Sequence, residues 1–368
     1  MVEYGKVSTA QIIMTLLVCK VFTVITYTPV YTDKSEITAV FLGGACSTFI
    51  LLAAAVPIIL LMRKTNEDVV SLSYRIHPVF GKAVFLLLFA STMVVSINTL
   101  VHFQFFMVNA VFPNVNAWII VVTMFLAAFY AVFMGMEGLF RTGAIVCLLL
   151  ALFLVTIGFT LYDRIDLLNL KPLMYDPVKS VLSVAWQDTS KNMELLLFML
   201  LIPNAKGKMS RSVVIYVLAT SAMLCLISFL VATVLGEFTF RQIFPFYMIA
   251  SVVDVEIIRR FDAIHMTIWV LTAFLRTSIF MLAANSLLHR VLPHRLAKWS
   301  LPAVGALILG FSLFLSSKLQ YNNMIYQFFE TGIPLVVLTI ILPIILLLFH
   351  RKTVPPQTAQ KQKEGLQE

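Results

Sequence analysis

Ten long apolar runs recur from one end of the chain to the other, and they decide what it can fold into. They lie at about 7–30, 37–62, 81–111, 117–136, 142–162, 181–203, 212–235, 261–288, 300–317 and 326–349. Each reaches or approaches the roughly 20 residues that carry an α-helix across a bilayer. The third and eighth are longer, which predicts tilt or extension beyond the bilayer. Of the 368 residues, 60% are hydrophobic and 12% charged, whereas soluble domains run at roughly a quarter charged. One soluble core cannot hide that much apolar surface. A membrane β-barrel would show ~10-residue segments of alternating polarity, and the runs here are continuously apolar. Helices satisfy their own backbone hydrogen bonds in lipid. The sequence therefore predicts an all-α integral membrane protein with ten transmembrane helices.

The flanking features fit that expectation. The first run lacks a strong basic leader and a small-residue cleavage site, so it reads as a retained span rather than a signal peptide. Residues 1–350 form the transmembrane domain, and the polar, Pro/Gln-rich segment 351–368 reads as a disordered cytoplasmic tail. Cys19, Cys46, Cys147 and Cys225 each sit inside an apolar run, with no CxxC and no Cys/His cluster. No metal site and no cofactor are expected. Nothing resembles a phosphate loop, a zinc-protease motif or a nucleophile elbow. His102 and His265 stand alone, as hydrogen-bonded core histidines do. No enzyme is predicted.

Charge placement orients the chain. With ten spans, both termini share one side. Sixteen Lys and Arg fall on that side and eight on the other, with Lys20, Lys191 and Arg276 inside spans completing the 27. By the positive-inside rule both termini are cytoplasmic. The net charge of +9 is then an orientation signal. No aromatic-interleaved basic patch accompanies it, so nucleic acid is not an expected partner.

Six charges remain inside the spans: Lys20, Asp188, Lys191, Glu194, Arg276 and Glu330. A Lys, Arg or Asp at a membrane-helix centre costs ~2.5–3.5 kcal/mol, and three positive against three negative predicts that they meet inside the bundle. Three of them crowd the sixth span, SVAWQDTSKNMELLLFMLLIP (183–203). If that helix is unbroken, Asp188–Lys191 and Lys191–Glu194 are neighbours three apart and form a self-neutralising ladder. The alternatives are an unwound hinge over Asp188–Asn192, where Thr189, Ser190 and Asn192 compete for backbone hydrogen bonds, and a re-entrant or partly extramembrane segment. Lys20 is expected to pair with Glu194 or another acid, or to serve as a fixed charge in place of a coupling cation or as a carboxylate contact. Arg276 reads as an internal counter-ion or a snorkelling cation, and Glu330 as a rim residue.

Runs 1–5 (about 7–162) and 6–10 (about 181–349) have similar lengths. They predict a 5+5 inverted-repeat, LeuT-like transporter plan, in which the binding site lies at mid-membrane where the first helix of each half is broken.

Several ordered landmarks resemble the B subunit of bacterial spore germination receptors. They are VFPNVNAWIIVVTMFLAAFYAVFMGMEGLFRTG (111–143), LLNLKPLM (167–174), MELLLFMLLIP (193–203) and VEIIRRFDAIHMTIWVLTAFLRTSIFML (255–282). The likeness runs from about residue 6 to 350. It implies membership of the amino acid–polyamine–organocation transporter superfamily and a place in the inner membrane of the spore. It also implies a small-molecule germinant such as an amino acid, a membrane A subunit and a lipoprotein C subunit as partners. Phe22 and Val24 stand where the family has span-1 glycines, Asn192 where a Gly precedes Glu194, and Arg276 where the family has Lys. The expected ligand site lies between spans 1, 3, 6 and 8, with polar contacts from Thr23, Thr26, Asp188, Thr189, Ser190 and Asn192. Lys20, Lys191, Glu194 and Arg276 form an intramembrane charge network around it. The expected function is germinant sensing and signalling to the partner subunits. The alternatives are a secondary transporter of amino acids or small solutes, and a structural subunit with a degenerate pocket.

Overall fold

The computed structural model describes residues 5–26, 37–65, 67–171, 178–252 and 261–349. The end of the first run (27–30) and the tail 351–368 lie outside the described residues. Helix dominates. In chain order the helices are α1 (Thr9–Thr26), α2 (Ile37–Lys64), α3 (Val69–Ile76), α4 (Pro78–Phe106, continued by a wide turn Met107–Val111), α5 (Ala117–Met134), α6 (Met136–Thr160), α7 (Val178–Ser190) and α8 (Glu194–Leu201). They are followed by α9 (Met209–Leu235), α10 (Pro245–Val252), α11 (Phe261–Val291), α12 (His294–Ala297), α13 (Ser300–Ser317) and α14 (Leu319–Glu330). Then α15 (Ile333–Leu335) runs through a wide-turn stretch, Val336–Ile341, into α16 (Leu342–Leu348). Among the described residues the strands are β1 (Val7–Ser8) and β2 (Ala205–Lys206). They pair in parallel and tie the entry to α1 to the segment after α8.

Among the described residues, eight helices are long and apolar enough to cross a membrane. Two of the ten expected runs are interrupted. The last run bends by 53° between α14 and α15, and counted whole it makes a ninth span. The sixth run is two helices of 13 and 8 residues, neither long enough alone. The third and eighth runs are long as expected, Pro78–Val111 with 34 residues and Phe261–Val291 with 31.

Both interruptions have local causes. At the end of α7 the Thr189 hydroxyl donates to Ala185 O at 2.8 Å and the Ser190 hydroxyl to Gln187 O at 2.9 Å. Such back-bonding competes with the helical ladder. The chain then turns tightly: Asn192 N–H donates to Thr189 O, and Leu195 N–H to Asn192 O. The bend in the last run sits on Gly332, whose φ of +77° is left-handed and costs a glycine little.

The packing reveals two halves. With the ten runs numbered in order, helix partners recur when both numbers advance by five. Run 1 packs on 7 as 6 on 2, 3 on 4 as 8 on 9, 4 on 8 as 9 on 3, 5 on 8 as 10 on 3, and 4 on 5 as 9 on 10. Pairs 2–7, 3–8 and 4–9 map onto themselves. This recurrence is the pairing that a plan of two five-helix inverted repeats predicts.

α4 and α11 cross at the centre of the bundle. Trp269 of α11 is fully buried, with its ring centroid 5.4 Å from Phe22, 5.2 Å from Phe103 and 4.1 Å from Phe106. The periphery is apolar and exposed, as at Phe49, Leu126, Phe133, Leu152 and Phe159, which is the surface a lipid-facing helix presents. Close approach uses small residues. At Gly43 of α2 an added Cβ would lie 2.7 Å from Val184 of α7.

Candidate functional site: a charged cavity at a helix break

The three intramembrane acids each meet a base on another helix. Lys20 Nζ of α1 lies 3.1 Å from Asp188 Oδ1 and 3.3 Å from Asp188 O. Asp188 Oδ2 accepts from the Ser47 hydroxyl of α2 at 2.7 Å. Lys191, the first residue past α7, lies 3.0 Å from Glu330 at the end of α14. Arg276 of α11 bonds Glu194, the first residue of α8, and donates to Cys19 O of α1 at 2.8 Å. The Arg276 guanidinium also sits over the Phe280 ring, 5.3 Å from its centroid.

This geometry bears on five expectations about the charges. The charges do meet inside the bundle. The intrahelical ladder is not formed, because the break rotates Lys191 and Glu194 toward different neighbours. Lys20 pairs with an acid as expected, Asp188 being the one, and Arg276 is an internal counter-ion. Glu330, expected at the rim, has a side chain 20% exposed and pairs with Lys191 at the break. The hinge is also displaced. Asp188, Thr189 and Ser190 remain helical, and the non-helical residues are Lys191–Met193. In span 1, α1 is unbroken through Thr26; residues 27–29 of the expected hinge lie outside the described residues.

A cavity of ≈ 80 Å³ opens beside the Lys20–Asp188 pair. Roughly 10–15 Å³ is enough to admit one water, so the cavity has space for several water-sized groups. Its walls come from α1 (Lys20, Thr23, Val24, Ile25), α2 (Val40, Gly44), α7 and the break (Val184, Gln187, Asp188, Lys191), α9 (Leu224, Ile227, Ser228, Val231) and α10 (Pro245, Phe246). A mostly apolar wall carrying a few placed charges and hydroxyls suits a small polar solute.

Only part of the expected ligand set lines this space. Thr23 and Asp188 do. Thr26 instead accepts from Trp269 Nε1 at 2.7 Å, and Asn192 accepts from the Tyr216 hydroxyl at 2.8 Å. Thr189 and Ser190 are buried against their own helix. The cavity lies between runs 1, 2, 6 and 7 with α10; the ligand site was expected between runs 1, 3, 6 and 8. Runs 3 and 8 stand behind it and brace α1 through Trp269 and Arg276. Sequence reasoning missed Gly44, Ser47, Gln187 and Ser228. The signal for the first two was the small-residue run GGACS (43–47) in an otherwise bulky span.

Among the described residues there is no group of three or more His, Cys, Asp or Glu able to hold a metal, and the four cysteines are free. His265 is buried among the rings of Phe153, Phe246 and Tyr247.

Among the described residues, eight helices long and apolar enough to cross a membrane, or nine with the bent last run, define a multi-pass helical membrane protein. The sequence model described as spore germination protein, a spore permease family, matches residues 6–321, and the chain belongs to that family. Its family is one of permeases rather than enzymes. A search of curated proteins finds no match. Among solved structures, the chain is similar to a Na+-coupled sialic acid symporter in its substrate-bound outward-open state, at 14% identity and a TM-score of 0.47, covering 91% of this chain and 86% of that one.

Proposed function

We propose that this chain is the germinant-sensing membrane subunit of a spore germination receptor, and that it binds a small polar solute such as an amino acid in the cavity at the α7–α8 break. The observation that carries this reading is the cavity itself. It is mostly apolar and lined by both charge signs from Lys20, Asp188 and Lys191. A carboxylate is matched by Lys191, whose acidic partner Glu330 lies outside the cavity, while Thr23, Gln187 and Ser228 supply neutral contacts. An interrupted helix lets a bound solute change the relative populations of two helix arrangements, provided it binds them unequally. In the proposed setting the chain lies in the spore inner membrane with both termini cytoplasmic. A membrane A subunit and a lipoprotein C subunit read the shift.

Spores carrying Gln187→Leu or Asp188→Asn test the site. Both changes conserve volume, and the second retains an acceptor for Ser47. The expected result is a tenfold or larger rise in the amino-acid concentration for half-maximal germination, with Thr189→Ala unchanged because Thr189 lies outside the cavity. An unaltered response in both lining variants contradicts the assignment. Uptake of labelled amino acid by proteoliposomes containing this chain alone would instead identify a secondary transporter.

A further inference from the structure

The two interrupted runs are fastened to each other at their breaks. Lys191, at the α7–α8 break, pairs with Glu330, the last residue before the bend of the final run, with side chains only 11% and 20% exposed. One turn earlier on α7, Trp186 Nε1 donates to Thr331 O at 3.1 Å. At Gly332, the bend residue, an added Cβ would overlap the Trp186 ring, so the indole closes directly on the turn. Three contacts thus join Trp186 and Lys191 to three consecutive residues, 330–332.

Lys191 has a second face. It lines the cavity, whereas Glu330 does not. Its neighbour Asp188 already has both carboxylate oxygens engaged, one by Lys20 and one by Ser47. An anionic group entering the cavity therefore meets a cation whose acidic partner lies outside it, on another helix. In a partly buried setting two carboxylates compete for one ammonium, and engagement by one weakens the hold of the other.

We propose that Lys191 is the link between cavity occupancy and the last run. With the cavity empty its ammonium holds Glu330 and locks the bend of α14–α15 against α7. A solute carboxylate draws Lys191 inward, frees Glu330 and lets the bend change angle. Lys191 is a specificity contact for a carboxylate, and Glu330 is a positioning residue. The trigger rests on the proposed cavity reading; the lock between the breaks does not.

The test uses the full chain in lipid nanodiscs, with its four cysteines replaced by alanine and spin labels at Met324→Cys and Ile344→Cys, exposed positions on either side of the bend. Glu330→Gln and Lys191→Met should each shift the interspin distance to a second, resolved value without ligand. The exchanged pair Lys191→Glu/Glu330→Lys, which keeps both charges, should restore the first value. An unchanged distance in Glu330→Gln overturns the lock, and so does an exchanged pair that behaves like Glu330→Gln. Acetate at rising concentration, against matched chloride, should move the wild-type distance toward that of Glu330→Gln and leave Lys191→Met unmoved. A wild type indifferent to acetate overturns the carboxylate as the key. None of these arms measures germination, so failure of the lock is distinguishable from failure of the sensing role.

Discussion

Arg276→Met destabilises the bundle by about 3–5 kcal/mol, the cost of leaving one partner of a buried ion pair uncompensated. Glu194 is fully buried at the first position of α8. Without Arg276 it loses its counter-charge, and Cys19 O loses a donor. The N-terminal end of α8 offers a carboxylate only a partial offset, ~0.3–1 kcal/mol for an exposed site. The sign reverses when both charges go, because apolar replacement of a whole buried pair is often neutral or stabilising. Glu194→Met/Arg276→Met is therefore expected to lie closer to the wild type than either single change. Thermal unfolding of the four purified proteins in nanodiscs supplies the double-mutant cycle. Additive losses would show that the two charges do not depend on each other.

Trp269→Ala is the second large effect, about 3–5 kcal/mol for a fully buried aromatic truncated in a core that collapses incompletely. The indole joins three helices: α1 through Phe22 and the Thr26 hydroxyl, α4 through Phe103 and Phe106, and its own α11. Trp269→Phe keeps most of the ring contacts and leaves the Thr26 hydroxyl without its donor, a loss nearer 1 kcal/mol. A Phe variant as unstable as the Ala variant would place the energy in the hydrogen bond rather than in the packing. The same comparison measures how firmly α1 is held beside the cavity, since Thr23 and Thr26 share its last turn.

The membrane class was legible because apolar run length and sparse charge are one-dimensional properties. So was the pairing of the internal charges, since their signs balance. Their partners were not, because Lys20, Lys191 and Arg276 choose acids according to which faces of distant helices meet. The break in the sixth run was foreshadowed by Thr189, Ser190 and Asn192 but fell later than expected. The two hydroxyls cap the last turn of α7 from within, and the chain leaves the helix only at Lys191. In span 1, Phe22 and Val24 stand where glycines would loosen the backbone, and α1 stays helical through Thr26. The contribution of α2 was hidden because glycine and serine in an apolar run carry no charge signal. Gly43 brings α7 close, and that closeness sets Ser47 against Asp188.

The central claim is that a solute occupies the cavity beside Lys20 and Asp188. Gly44 offers the most direct test, because it lines that space and an added Cβ there would lie 3.5 Å from Leu224 and 4.0 Å from the Ser228 hydroxyl, ordinary contact distances. Gly44→Leu therefore adds apolar bulk at a lining position that is itself in no ion pair. Equilibrium binding of the radiolabelled amino acid that germinates spores carrying this chain is measured on purified wild type and Gly44→Leu in nanodiscs. The account predicts at least a tenfold loss of affinity, about 1.4 kcal/mol or more, with the unfolding temperature held within a few degrees. Equal binding by the two proteins would contradict it.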